Sequence, residues 1–280
     1  MKHLTNEINY DSTIELANII EKYDKTVIFH CYWTGVLNEK HLISIKSCYY
    51  FNIYNDDNNN NHKIILWVEN TTQNLYYEEI KKYAEIKHFS LQNEKNETFL
   101  QNNNFYFNTT PSFYSDVVRY LLLYKYGGCW FDLDCIFLRS FEPIFYNYEN
   151  EVCIYQWEYQ KYPNGAIFIS LNQKSEKMKS NIEFIINRNR GWGFQEASLT
   201  YDLPLDMLVL PCSWFDPSWI DNPYNLRFET FFENTDKIYT FDNFFKGAFC
   251  YHWHNKWNAP LYDNCILKQL SNIIDKNMKK

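Results

Sequence analysis

Residues 112–138, SFYSDVVRYLLLYKYGGCWFDLDCIFL, decide the fold. They read as one helix, a glycine turn and one strand. Thr110 suits an N-cap and Pro111 a first helical position, where its missing N–H would be unpaired anyway. Phe113, Val117, Tyr120, Leu121 and Tyr124 recur at helical spacing and make an apolar stripe. Gly127 and Gly128 supply a backbone that takes positive φ, so the helix stops there. Beyond them side chains alternate, with Cys129, Phe131, Leu133 and Cys135 facing one way and Trp130, Asp132, Asp134 and Ile136 the other. The alternation predicts that the two carboxylates share a face.

Side chains two apart on a strand lie about 6.5 Å from each other, and at an effective dielectric of about 20 two such charges repel by roughly 2.5 kcal/mol. An apolar strand sustains that only with a cation or hydrogen-bond donors nearby. Asp116 and Arg119 stand at i and i+3 on the preceding helix and project from one face. A guanidinium and the carboxylates of Asp116, Asp132 and Asp134 therefore converge at the glycine turn. That set suits a divalent cation and a phosphate-bearing ligand.

The string S-D-x-x-R-Y, a helical run, G-G and then aromatic-D-x-D resembles the DXD sugar transferases with a GT-A fold. That group includes the α-1,4-glycosyltransferases, the initiating mannosyltransferases of fungal type and the glucosylating domain of the large clostridial toxins. A bare D-x-D is weak evidence. The signal is Ser115, Asp116, Arg119, Tyr120, Gly127, Gly128, Asp132 and Asp134 in register.

A chain of 280 residues can bury a sizeable single core. Strands at 26–33, 63–69 and 86–91 alternate with helices at 40–51 and 76–86, and the acidic strand comes next. A further short helix is expected at 13–23. The order predicts an α/β fold with a Rossmann-like, mostly parallel central sheet flanked by helices, of GT-A type, with a smaller acceptor-side subregion. The expected organisation is one domain: 1–140 for the nucleotide-sugar, 141–257 for the acceptor and for completing the metal site, and 258–280 a C-terminal helix. Ligands of such sheets bind at the carboxyl ends of the strands, where Asp132 and Asp134 lie.

Aromatic residues make up 20% of the chain, with 24 Tyr among them. A codon bias toward Asn, Tyr, Phe, Ile and Lys accounts for most of that excess, leaving a few rings to stack on a sugar or a base. The net charge of −7 excludes the electrostatic footprint of a nucleic-acid binder. An anionic donor must then be met locally, by a metal and by Arg119. The eight Cys show neither a C-x-x-C pair nor zinc spacing and read as buried thiols of a reducing compartment. No apolar run approaches the ~20 residues that span a bilayer, and MKHLTNEINYDST lacks a signal-peptide core. The expectation is a soluble, cytoplasmic protein without a membrane anchor.

The resemblance assigns further residues. The segment His30-Cys31-Tyr32-Trp33-Thr34-Gly35 is similar to the family's I-H-x-x-W-x-G strand, with Cys where Gln is usual, and implies that His30 and Trp33 stand at the nucleotide; the alternative for Trp33 is core packing. Asn164, in Pro163-Asn164-Gly165-Ala166, either contacts a sugar or belongs to a plain turn. Residues 191–200 hold the place of the family's T-G-P segment but lack the Gly-Pro. Trp214 and Phe215 line an acceptor cleft or pack in the core. Near the end, GAFCYHWHNKW (247–257) resembles the family's H-x-W-N-K ending. Either His252 or His254 is the implied metal ligand, His252 fitting better because it follows a short apolar strand, and Asn255 and Lys256 are implied contacts of the diphosphate.

The resemblance thus implies a metal-dependent, retaining glycosyltransferase that moves a hexose from a nucleoside-diphosphate sugar, with UDP the favoured carrier, to a hydroxyl of a glycan, protein or lipid. Mn²⁺ or Mg²⁺ would be held by Asp132 and Asp134 with one His, while Asp116 and Arg119 grip the sugar. Two other readings stand beside it. One is an aspartyl-phosphate phosphatase built on the D-x-D pair, although Ile136 stands where that class has Thr or Val. The other is a nucleotide-sugar-binding module without activity.

Overall fold

Apolar runs rich in β-branched and aromatic residues alternate with helices along most of the chain, and both kinds of run are seen in the computed structural model. It describes residues 1–17, 23–55, 61–105, 109–157, 162–188, 192, 205–226 and 228–279. In order, these form β1 (Lys2–His3), α1 (Tyr10–Glu15), β2 (Ile28–Thr34), α2 (Glu39–Tyr49, continued by a π-turn at Tyr50–Tyr54), β3 (Lys63–Glu69), α3 (Leu75–Ile80), β4 (Glu85–His88), α4 (Leu91–Lys95) and α5 (Pro111–Tyr126). There follow β5 (Gly128–Phe131), β6 (Cys135–Phe137), α6 (Glu142–Tyr148), β7 (Val152–Tyr155), β8 (Asn164–Ser170), α7 (Glu176–Arg188), β9 (Leu208–Leu210), β10 (Cys250–His252) and α8 (Ile266–Met278). The expected helix at 13–23 is shorter and earlier, because Asn9 caps it by accepting from the N–H groups of Asp11 and Ser12. Residues 18–22 of that expectation lie outside the described residues, as do the 191–200 segment except Trp192 and most of the polar loop at 56–61.

Among the described residues, eight strands form one sheet in the order β1-β9-β7-β8-β5-β2-β3-β4. Every pairing in it is parallel except those made by β8, which runs against β5 and β7. The fold is thus α/β with a mostly parallel sheet, as the element order requires. Strand β3 shows why both faces are covered. Ile64, Leu66 and Val68 point into one apolar cluster with Ile45 and Cys48 of α2. Ile65 and Trp67 point into another with Val117, Tyr120 and Leu121 of α5.

Helix α5 ends as expected. Gly127 has φ +66°, and its N–H caps the helix on the Leu123 carbonyl at 3.0 Å. A Cβ there would stand 2.3 Å from the Leu171 carbonyl oxygen, and one on Gly128 2.2 Å from that of Ile28. The close approach of two backbones, as well as the positive φ, requires both glycines.

The strand after them is not continuous, which corrects the expected alternation. Strand β5 pairs with β2 and β8 in the main sheet, whereas β6 pairs with β10 in a separate two-stranded sheet. Between them Asp132-Leu133-Asp134 turns, with the Cys135 N–H on the Asp132 carbonyl at 3.2 Å. The chain is handed from one sheet to another at the acidic pair, so the two carboxylates meet different partners.

Candidate active site

The end of β5 and the inner face of α5 build the first half of the site. Asp132 Oδ1 accepts from the Trp130 indole N–H at 2.7 Å and from Arg119 Nη2 at 3.3 Å. Arg119 reaches Asp116 on its own helix at 3.2 Å, and its guanidinium lies 5.3 Å from the Trp130 ring centroid. One buried guanidinium therefore bridges two carboxylates. Burial works against its charge, but Asp132 and Asp116 outweigh that and raise its pKa. Burial raises that of Asp132, with Arg119 pulling the other way.

The second half comes from the far end of the chain. The antiparallel pairing of β10 with β6 sets His252 opposite Cys135, one residue past Asp134. His252 Nε2 then lies 3.1 Å from Asp134 Oδ2, which also accepts the Asn255 N–H at 2.6 Å. Burial pushes the Asp134 carboxyl up, yet the facing His252 and the Asn255 N–H outweigh it and hold the pKa at about 2. His252 is buried too, which disfavours its charge, but Asp134 drives its pKa well above the usual value.

Behind His252 stands a carboxylate that the sequence reading missed. Asp216 is fully buried. It accepts from the Trp157 indole N–H at 2.6 Å and the Tyr155 hydroxyl at 3.4 Å, and lies 2.9 Å from His254 Nε2. Tyr155 Oη is also 2.9 Å from His252 Nδ1. The available signal was a lone Asp beside Trp214 and Phe215 in the run 212–217.

Two groupings could therefore take a cation: Asp134 with His252 Nε2, or Asp216 with His252 and His254, whose candidate ligand atoms lie within 4.8 Å of one another. The first fits better. Two ligands each about 2.1 Å from one ion and at right angles to each other are ~3.0 Å apart, close to the Asp134–His252 separation. Asp134 also borders a cavity of about 480 Å³, together with Trp33, Arg119, Asp132, Asn255 and Trp257. The Asp216 group is instead crossed by the N–H of Trp157, and the Trp219 N–H points at His254 Nε2 at 2.6 Å. Those donors occupy lone pairs that an ion would need. In the first grouping His254 stands behind His252, with 4.1 Å between the ring centroids.

The other expected site residues divide. Trp33 and Asn255 border the cavity, and Trp257 closes it by stacking on His41 at 4.3 Å, with Trp33 at 4.9 Å. His30 does not reach it. It is fully buried under the glycine turn, with Nε2 on the Gly127 carbonyl and Nδ1 accepting from Trp67. Asn164 stays in its turn, accepting from the Ala166 N–H. Lys256 is outside the cavity lining, and its carbonyl takes the Lys40 ammonium. Trp214 and Phe215 are core residues, since both are buried and the Trp214 N–H is on the Thr13 carbonyl.

Residues 46–151, which include the acidic turn, match the family described as "Glycosyltransferase sugar-binding region containing DXD motif". No curated protein matches this chain. Among solved structures, this chain is similar to the PaToxG glycosyltransferase (13% identity, 71% of this chain and 72% of that one, TM-score 0.38). It is also similar to mouse xyloside xylosyltransferase 1 (12%, 84% and 99%, 0.47) and to the glycosyltransferase GlyE of Streptococcus pneumoniae TIGR4 (13%, 90% and 60%, 0.48). The DXD region supplies Asp116, Arg119, Asp132 and Asp134. His252, Asn255 and Trp257 come from outside it.

Proposed function

We propose that the protein is a divalent-metal-dependent, retaining glycosyltransferase that moves a hexose from a nucleoside-diphosphate sugar, with uridine the favoured base, to a hydroxyl acceptor. The observation that carries this reading is the meeting of Asp134 with His252 at the wall of a cavity whose other wall holds Arg119 and Asp132. Asp134 and His252 would hold Mn²⁺ or Mg²⁺, with Asp132 beside them; bound there, the ion supplies Lewis-acid neutralisation of a departing diphosphate.

The chain's own groups do the rest. Arg119, fixed by Asp116, presents a planar fork to sugar hydroxyls or phosphate oxygens. Asp132, held by Trp130 and Arg119 through Oδ1, keeps a carboxylate oxygen for ribose or sugar hydroxyls. Trp33 and Trp257 give the base or sugar an aromatic wall and exclude water from the cavity. In the transfer, the acceptor oxygen bonds to the anomeric carbon while the bond from that carbon to the diphosphate oxygen breaks. The electron pair leaves with the diphosphate, and the acceptor's proton passes to that same oxygen. Attack and departure on one face retain configuration, and no covalent sugar–enzyme intermediate is required.

The test is release of UDP from a panel of UDP-sugars, with Mn²⁺ and with a chelator. Release that needs the metal supports the reading. Silence with every donor, alongside phosphatase turnover or an acid-stable aspartyl phosphate, would transfer the acidic turn to the phosphatase reading.

A further inference from the structure

Helix α2 carries two buried lysines, and they are partnered differently. Lys46 meets Asp275 of α8 at 2.7 Å. Lys40 is 3% exposed, and among the described residues its ammonium meets no carboxylate. It donates instead to three backbone carbonyls, those of Lys256 at 2.5 Å, Trp257 at 3.1 Å and Ala259 at 2.7 Å. The Phe232 ring centroid lies 4.1 Å from the same nitrogen.

Local effects oppose a positive charge at this position. Burial disfavours it and lowers its pKa to about 8. As the second residue of α2, it also sits at the positive end of the helix macrodipole. The helix start is capped without it, since Asn38 and His41 already form a reciprocal capping box. What matches the ammonium is the set of three carbonyl dipoles and the face of the Phe232 ring. Its contacts all lie in the C-terminal part of the chain, beyond residue 230.

The carbonyls it gathers belong to the wall of the candidate site. Trp257 borders the cavity of about 480 Å³, whereas Lys40 does not. The Trp257 carbonyl is held by Lys40 while its ring lies on His41, with 4.3 Å between centroids and 9° between planes. Two consecutive residues of α2 thus fix one residue of the wall, by its backbone and by its side chain. His41 is itself fixed, its Nδ1 accepting the Asn38 N–H at 2.9 Å. The stretch leading to Trp257 needs such support. His254 and Asn255 both lie in the left-handed region, with φ of +52° and +56°. Residues other than glycine persist there only where their surroundings hold them. Asp134 holds one end of the stretch through the Asn255 N–H at 2.6 Å, and Lys40 holds the other.

We infer that Lys40 is a positioning residue, whose ammonium holds the segment 255–259 so that Trp257 stands at the wall of the cavity. Its bearing on a nucleotide rests on the transferase reading, whereas the place of Trp257 is measured with no ligand present. The full chain is labelled with 5-fluorotryptophan, and the Trp257 signal is assigned by its loss in Trp257→Phe. In Lys40→Met that fluorine signal is expected to move, and its H₂O/D₂O isotope shift to grow, as the ring leaves His41. Binding of UDP with Mn²⁺, followed by calorimetry, is expected to weaken about tenfold, as loss of one good aromatic contact implies. KM for the donor should rise by the same factor while kcat changes little. Lys46→Met removes the other buried lysine of α2 and is expected to lower the urea midpoint without moving the Trp257 signal. Should Lys40→Met fail to fold, Phe232→Leu keeps the ammonium but removes the ring beside it, and a smaller movement in the same direction is expected. An unmoved signal in the variant that folds, an equal movement in Lys46→Met, or equal UDP affinity in wild type and Lys40→Met would overturn the inference. A signal that moves in a chain that binds no UDP would keep the role of Lys40 and sink the transferase reading.

Discussion

Asp134 and His252 are 118 positions apart in the chain and stand 3.1 Å from each other, carboxylate oxygen to imidazole nitrogen. Neither element is long: β6 and β10 have three residues each. Their pairing is nevertheless enough to fix the contact, because His252 lies opposite Cys135 and the Trp253 N–H closes on the Asp134 carbonyl at 2.9 Å. The contact joins the DXD turn to the C-terminal segment and completes the candidate metal site.

Asp134→Asn keeps the shape of the side chain and an oxygen for the Asn255 N–H, but removes the charge that faces His252. Metal-stimulated UDP release is expected to fall by about 10²-fold or more, the scale of losing one preorganised stabilising group, with the circular dichroism unchanged. Undiminished release would remove Asp134 from the metal site.

Tyr155→Phe tests the support behind His252. The Tyr155 hydroxyl is 2.9 Å from Nδ1 and can accept a hydrogen bond from its N–H, which leaves the Nε2 lone pair for an ion. Losing such an outer partner typically weakens metal binding by about 10–100-fold. Mn²⁺ titration by calorimetry should show that loss; an unchanged affinity would mean that the hydroxyl only fills space.

Arg119→Lys retains the positive charge but not the fork that reaches Asp116 and Asp132 together. A point charge serves one carboxylate at a time, so kcat/KM for the donor is expected to drop by about 10²-fold, a loss of roughly 2.7 kcal/mol of transition-state stabilisation. Near-wild-type turnover would demote the residue to a packing role.

His30 gives a pH dependence of stability. Its neutral tautomer is set by its neighbours: Nδ1 accepts from the Trp67 N–H, and Nε2 faces the Gly127 carbonyl. Burial lowers its pKa from 6.5 to about 4. Between those values the unfolded chain binds more protons here than the folded one, so stability rises with pH. The contribution is whole above about 6.5 and is lost as pH falls toward 4. The slope it adds is at most about 1.4 kcal/mol per pH unit. His30→Gln can still donate to the Gly127 carbonyl or accept from Trp67 but does not titrate. Urea midpoints at pH 7, 5.5 and 4.5 should therefore converge between the two proteins as pH falls, whereas parallel curves would show that His30 does not titrate on unfolding.

Much of this was legible in residue order. The stripe from Val117 to Tyr124, the glycine pair and the runs Ile28–Thr34 and Lys63–Glu69 obey local rules of period and turn, so α5, β2 and β3 fall where those rules put them. Asp116 and Arg119 are neighbours by helical spacing alone, and the structure adds only the distance. His30 lies under the glycine turn and not in the lining of the cavity, because position within a motif does not say which face of a buried strand a side chain takes.

The sequence by itself determined the helix–glycine–strand unit and the presence of the acidic pair, which rest on residues close in the chain, and the parallel character of the sheet, which follows from the alternation of strands with helices. Only the tertiary structure decided that the strand breaks between Asp132 and Asp134, that Asp132 goes to Arg119 while Asp134 goes to His252, and that Asp216 stands behind them. A strand continues only while it has a partner to pair with. The partner that draws Cys135–Phe137 into a second sheet is β10, which local pattern at the acidic pair does not specify.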